Sequence, residues 1–215
     1  PDEKENGILT PTFKQRTWKS YLVFWRLNSM DKVVYFKNDD QRTDYCSGAV
    51  YRNFLEYAFS RTDYFMLVYV NYYGKGYSGI MKSFMRDLKP FQVKVRSNPS
   101  WPGTTTFCPN THYKVVFYRN CPQAKEILNK VDRLSAWSRP SYPQDLAFFS
   151  GNQCWFYSVG HEKIAAVLHA SNGDISFLAE NGLASPEKAF TPQGGVPDDY
   201  DEMLEDNEGC GSQGR

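Results

Sequence analysis

The chain has 215 residues, 41% of them hydrophobic and 16% aromatic, with 25 Lys and Arg against 24 Asp and Glu. That much aromatic material excludes a wholly disordered chain, and the length fits one domain or one plus a short appendage. A mean hydropathy of -0.59, with no apolar run near the ~18 residues a span requires, excludes a membrane-spanning helix from the sequence.

Residues 1–16 read as a polar lead-in, and their charged opening lacks the apolar stretch of a secretory signal. Aromatic and β-branched runs at 21–25 and 33–36, separated by Asn28, Ser29 and Asp31, predict two strands around a turn. Thr43 and Asp44 then predict a helix cap, with Val50, Phe54, Tyr57 and Ala58 at helical spacing over about 46–59. The near-continuous apolar run 64–70 predicts a central strand covered on both faces. Ser78 caps a second helix with Ile80, Met81, Phe84, Met85 and Leu88 on one stripe, and Pro90 ends it. Residues 91–96 alternate as a half-exposed strand, and the segment 97–103, with Pro99, Pro102 and Gly103, predicts a loop without a regular ladder.

A strand follows at 113–118. Pro122 opens a third helix whose stripe runs through Ala124, Ile127, Leu128, Val131 and Leu134. After a rigid connection at 138–143, two apolar runs, 146–149 and 154–159, flank a turn at 150–153 and predict a second hairpin. A strand at 164–168 and a short helix from Asp174 to Gly182 complete the body. The order is mixed rather than alternating, which predicts an α+β fold: a mixed, mainly antiparallel sheet with three to four packed helices. The expected domain runs from 17 to 185, and residues 186–215 are expected to form a disordered acidic tail.

That tail hides a charge asymmetry. Asp198, Asp199, Asp201, Glu202, Glu205, Asp206 and Glu208 lie together with no basic residue among them. Without those seven carboxylates and Arg215, 24 basic and 17 acidic residues remain, a body charge of about +7. Five scattered cysteines, Cys46, Cys108, Cys121, Cys154 and Cys210, form no disulfide framework and point to reduced thiols in a cytoplasmic protein.

No complete catalytic or cofactor motif is present. Ser158, His161 and Glu162 are the candidate catalytic residues, since an imidazole beside a carboxylate can act as a general base. Position 165 is Ala, so the second histidine of a zinc protease is missing, and the plainer reading of His161 and Glu162 is a strand-to-strand turn. Cys108, His112 and Cys121 lack zinc-module spacing, so no metal or cofactor is expected. Tyr72, Tyr73, Lys75 and Tyr77 place a cation among rings between a strand and a helix, good material for an interface. Lys94, Arg96, Lys114 and Arg119, with Tyr113 and Trp101, could form a basic aromatic face for nucleic acid, although no nucleic-acid signature accompanies them.

Residues 140–149, followed by Cys154-Trp155-Phe156 and by Ser158 to Glu162, resemble small uncharacterised proteins of Gram-positive bacteria. Those proteins share a Y-P-E-D-L-x-F-F, then W-F, then H-E pattern, and some stand beside polymorphic toxins. Gln144 stands here where the pattern has Glu. The resemblance covers about 45 residues and brings no catalytic residues. It implies an immunity role, so the leading expectation is a non-enzymatic protein-binding module, an inhibitor of a partner toxin. The alternatives are a hydrolase using His161 with Ser158 or Glu162, and a nucleic-acid-binding module. No pattern fixes an oligomeric state.

Overall fold

The computed structural model describes residues 32–38, 44–71, 74, 76–105 and 111–193. The lead-in, the strand expected at 21–25, Tyr72, Tyr73, Lys75, Cys108, Cys210 and the acidic run lie outside the described residues.

The strongest apolar run becomes the strand on which the rest is assembled. β2 (Tyr64–Tyr69) pairs antiparallel with β6 (Tyr113–Arg119) on one side and with β7 (Gln144–Ser150) on the other. Among the described residues the sheet has seven strands in the order β1, β9, β8, β7, β2, β6, β3, where β1 is Lys32–Tyr35, β3 is Gln92–Asn98, β8 is Gln153–Val159 and β9 is Ile164–Ala170. All its neighbouring pairs are antiparallel. Among the described residues four α-helices accompany it: α1 (Gly48–Arg61), α2 (Gly79–Leu88), α3 (Pro122–Leu128) and α4 (Asn172–Glu180). The fold is α+β, as the order of elements predicted.

Period-two alternation sends Phe65, Leu67 and Tyr69 of β2 to one face and Met66 and Val68 to the other. The first face joins Phe54 of α1, Phe84 of α2, Ala124 of α3 and Leu178 of α4, so all four helices contribute to one core. On the second face Val115, Phe117, Phe149 and Leu168 form a separate buried cluster with Trp101 at its margin. Both faces are therefore buried, and each large side chain contributes about 1.5–3 kcal/mol by leaving water.

Four local expectations change. The cap of α1 is Ser47, not Thr43 or Asp44; Asp44 instead accepts from the Cys46 and Ser135 amides, pinning a segment 91 residues away. Helix α3 stops at Leu128. Lys130 and Val131 donate to carbonyls only three residues back, and Arg133 is extended to bridge Ser47. Val131 and Leu134 are buried all the same, so the stripe marks the core beyond the helix. The 97–103 segment does hold a short ladder: β3 continues to Asn98, and β4 (Ser100–Trp101) pairs with β5 (Thr104–Thr105). The turn between them is Pro102-Gly103, with Gly103 at φ 79, the conformation a Pro-Gly turn selects. Finally, ordered chain continues past Ser185 through a 3₁₀ turn to Phe190, whose backbone exchanges two hydrogen bonds with Val33 at 2.8 and 3.2 Å.

Candidate functional site

The second hairpin, β7–β8, forms where it was expected, but its first residues do more than start a strand. Asp145 sits at φ 53, in the left-handed region that Asp tolerates better than most residues. The pairing of β7 with β2 shifts register between Met66 and Val68, next to this residue. The irregularity turns the carboxylate inward, where it is buried among four donors. Asp145 Oδ2 accepts from Trp101 Nε1 at 2.8 Å, Gln144 Nε2 at 3.1 Å and Thr104 Oγ1 at 3.3 Å; Oδ1 accepts from the Gly160 amide at 2.9 Å. An ionised carboxylate, which only accepts, matches that set. Burial pushes the Asp145 carboxyl up from its ordinary value, against the pull of the Gly160 amide, the Trp101 indole, the Gln144 amide and nearby His161.

This carboxylate ties three separate pieces together: the 101–104 hairpin, the start of β7 and the Gly160–Glu162 turn between β8 and β9. Gly160 is required there, because a Cβ would fall 2.1 Å from the Trp137 carbonyl oxygen. Above Asp145 opens a cleft of about 340 Å³ at the ends of the central strands. Val70, Trp101, Tyr113, Arg139, Gln144, Val159, His161 and Glu162 are among its walls.

His161 and Glu162 stand in the turn the sequence predicted and project into this cleft. Their side chains are 3.5 Å apart, and His161 is 45% exposed. Ser158 is not with them. It is 1% exposed, its hydroxyl donates to the Leu146 carbonyl at 2.9 Å, and it borders a different, narrower cavity beside Cys46 and Leu134. Alternation along β8 accounts for this, because Ser158 and Val159 point to opposite faces. A Ser158–His161 pair is therefore not assembled, and the nucleophile expected for a serine hydrolase is missing from the cleft.

A second cleft of about 450 Å³ adjoins the first through Tyr113 and includes Tyr77, Arg96, His112 and Lys114 in its walls. The expected basic strip is divided between the two faces of the sheet, although Arg96 and Lys114 both reach the second cleft. Lys94 lies opposite Phe117 and Arg96 opposite Val115, on the second face of the sheet. Lys114 pairs with Ser97 and lies on the first face with Val116 and Tyr118. A bulge between Gln92 and Lys94 sets this register, leaving Lys94 and Arg96 half-buried while Val93 and Val95 are 46% and 45% exposed. Trp101 is buried with its indole committed to Asp145, so it supports the cleft wall and is not a free stacking platform.

Sequence reasoning missed Asp145, which the apolar run 146–149 carries into the interior, and it missed Gly160. Among the described residues no three His, Cys, Asp or Glu side chains come together as a metal site, and no helix is long and apolar enough to cross a membrane. Compared with protein-family models, with curated proteins and with solved structures, the chain matches none.

Proposed function

We propose that this chain is a non-enzymatic protein-binding module that accepts an extended segment of its partner along β3. The observation that carries this reading is the state of the two sheet edges. β1 is bridged at Val33 by Phe190, whereas no strand among the described residues pairs with the outer side of β3, a seven-residue strand with Val93 and Val95 turned to solvent. Such an edge offers backbone donors and acceptors to an incoming strand, with alternate side chains giving specificity. Val93 and Val95, at alternate positions of that edge, favour a segment with apolar residues at matching positions. The resemblance at residues 140–162 narrows the proposed partner to a toxin, which the chain would neutralise as an immunity-type inhibitor.

The test compares the wild type with a Val93→Asp, Val95→Asp double variant. A partner recovered by the wild type should bind the variant at least about tenfold more weakly, a loss near 1.4 kcal/mol. Amide exchange at 92–98 should slow in the wild-type complex. A partner bound equally by both chains, with no protection of β3, refutes the reading.

A second reading, a hydrolase drawing on His161 with Glu162, is supported by the exposure of His161 in the cleft. It requires that His161→Ala remove a measurable turnover of activated esters or amides. Wild-type protein with no such turnover ends it.

A further inference from the structure

We propose that the extended segment added at β3 carries a carboxylate side chain, and that this carboxylate enters the second cleft and pairs with Lys114. The inference rests on β3 as the docking edge and names what that edge selects beyond apolar residues. Ser97 and Lys114 are directly opposite in the β3–β6 register, as are Val95 and Val116, so all four side chains lie on the first face of the sheet. Val95, Ser97 and Lys114 are also walls of the cleft of about 450 Å³. The docking edge and the cleft therefore share residues, and a strand laid along the outer side of β3 points alternate side chains over the cleft mouth.

Charge decides which side chain belongs there. Lys114 is half-buried, and among the described residues no carboxylate pairs with it and none lines the cleft. An ammonium partly withdrawn from water without a counter-ion is costly, so the cleft favours an anion. Arg96 also borders it but already has a contact of its own, so the recognition falls to Lys114. The back wall strengthens the pairing. Tyr69 is 1% exposed, Tyr77 meets it edge-on with ring centroids 6.3 Å apart, and the next residue, Ser78, donates to the Ser141 carbonyl at 2.6 Å. Rings in place of water lower the local dielectric and extend the range of the Lys114 charge. The span is also right. Neighbouring strands are about 4.8 Å apart, so an added backbone would lie roughly 10 Å from that of β6, with Ser97 between them. A serine is too short to block the gap, and an extended lysine meets a glutamate or aspartate across it. In an unmodified polypeptide the anionic side chain is a carboxylate. The favoured segment therefore has Glu or Asp facing Ser97 and an apolar residue facing Val95, two positions apart on one face.

Random heptapeptides displayed on phage are selected on the immobilised full chain, and the enriched sequences are made as free peptides. They should share Glu or Asp two positions from an apolar residue such as Val or Ile. Replacing that acid by its amide should weaken binding about tenfold or more, and Lys114→Gln should do the same. The two changes together should cost no more than either alone, and Lys114→Arg should keep most of the affinity. If Lys114→Gln does not fold by circular dichroism, the amide peptide decides alone. Enriched peptides that carry no acid, or that bind Lys114→Gln as well as wild type, overturn the inference. If those peptides still fail to bind the Val93→Asp, Val95→Asp variant, the β3 edge stands without it. No enriched peptide at all, or peptides that bind that variant normally, overturns both. A thymidine dodecanucleotide that displaces the peptides and depends on Lys114 would assign the cleft to nucleic acid, and that also overturns the inference.

Discussion

Replacing Asp145 separates its two duties, as acceptor and as a residue at positive φ. In Asp145→Asn the amide keeps its oxygen toward Trp101, Gln144 and Thr104, and Asn tolerates φ 53 well. The Nδ2 group then faces the Gly160 amide, donor against donor, and one buried N–H is left unmet. That change should cost about 2 kcal/mol, the usual penalty for one orphaned buried donor. Asp145→Ala strands the Trp101 indole and the Gly160 amide together and places a Cβ residue without a local acceptor at positive φ, so its cost should approach ~4 kcal/mol. Thr104 borders the cleft and can be solvated there, so it adds little. Urea unfolding followed by far-ultraviolet circular dichroism measures both, read as a shift in midpoint at constant slope. Asn costing as much as Ala, or both costing under ~1 kcal/mol, would refute the assignment of Asp145 as the tie between hairpin, strand and turn.

Gly160→Ala should destabilise by ~3 kcal/mol or more, because the added Cβ meets the Trp137 backbone carbonyl at 2.1 Å rather than a movable side chain; thermal unfolding reads this directly. Phe54→Ala should cost ~3–5 kcal/mol, since its ring lies 4.7 to 6.5 Å from those of Phe36, Phe148, Trp155 and Phe156 in the helix-covered core. Asp174 makes a prediction about acid. Burial pushes its carboxyl up, but the Ser171 hydroxyl and amide, the Tyr57 hydroxyl and Arg61 outweigh that and hold it below its ordinary value. Its folded pKa is thus below the unfolded one, so the stability it lends is complete above the ordinary carboxylate range and is lost as pH falls through the folded value. Urea midpoints measured from neutral to acid pH should drop less steeply in Asp174→Asn, and an unchanged acid slope would contradict this account. Asp145, shifted the other way, has the opposite sign: its contribution declines as pH rises from the unfolded value to the folded one.

Much of the scaffold is legible in the sequence because it rests on local rules. The apolar run of β2 required burial on both sides, Ser78 accepts the Met81 amide as a cap must, and the turn at 150–153 joins β7 to β8. Ser171 was less visible. Asp174 marked the start of α4, yet it is the third helical residue and closes a capping box that opens three positions earlier at Ser171. The Pro102-Gly103 turn carried a recognisable signal that the flanking prolines obscured. The site depends on longer-range relations. Trp101 and Asp145 are 44 residues apart and Asp145 and Gly160 are 15 apart, and no spacing rule joins them. The separation of Ser158 from His161 follows from which face β8 presents, and one residue of register decides that. The split between Lys114 and Arg96 depends likewise on a single bulge in β3.

The two hydrogen bonds between Val33 and Phe190 also bear on stoichiometry. A sheet with two pairing edges can grow from both ends, each added copy exposing the next template, and that is the route to open-ended stacks. Here one end is already terminated by the chain's own backbone. A partner strand added at β3 would bring an outer edge of its own, so growth on that side depends on the partner, whereas growth from the β1 side meets the Val33–Phe190 bridge. Cutting the chain before Phe190 would remove the stop, and light scattering would then show growth where the full chain shows a finite particle.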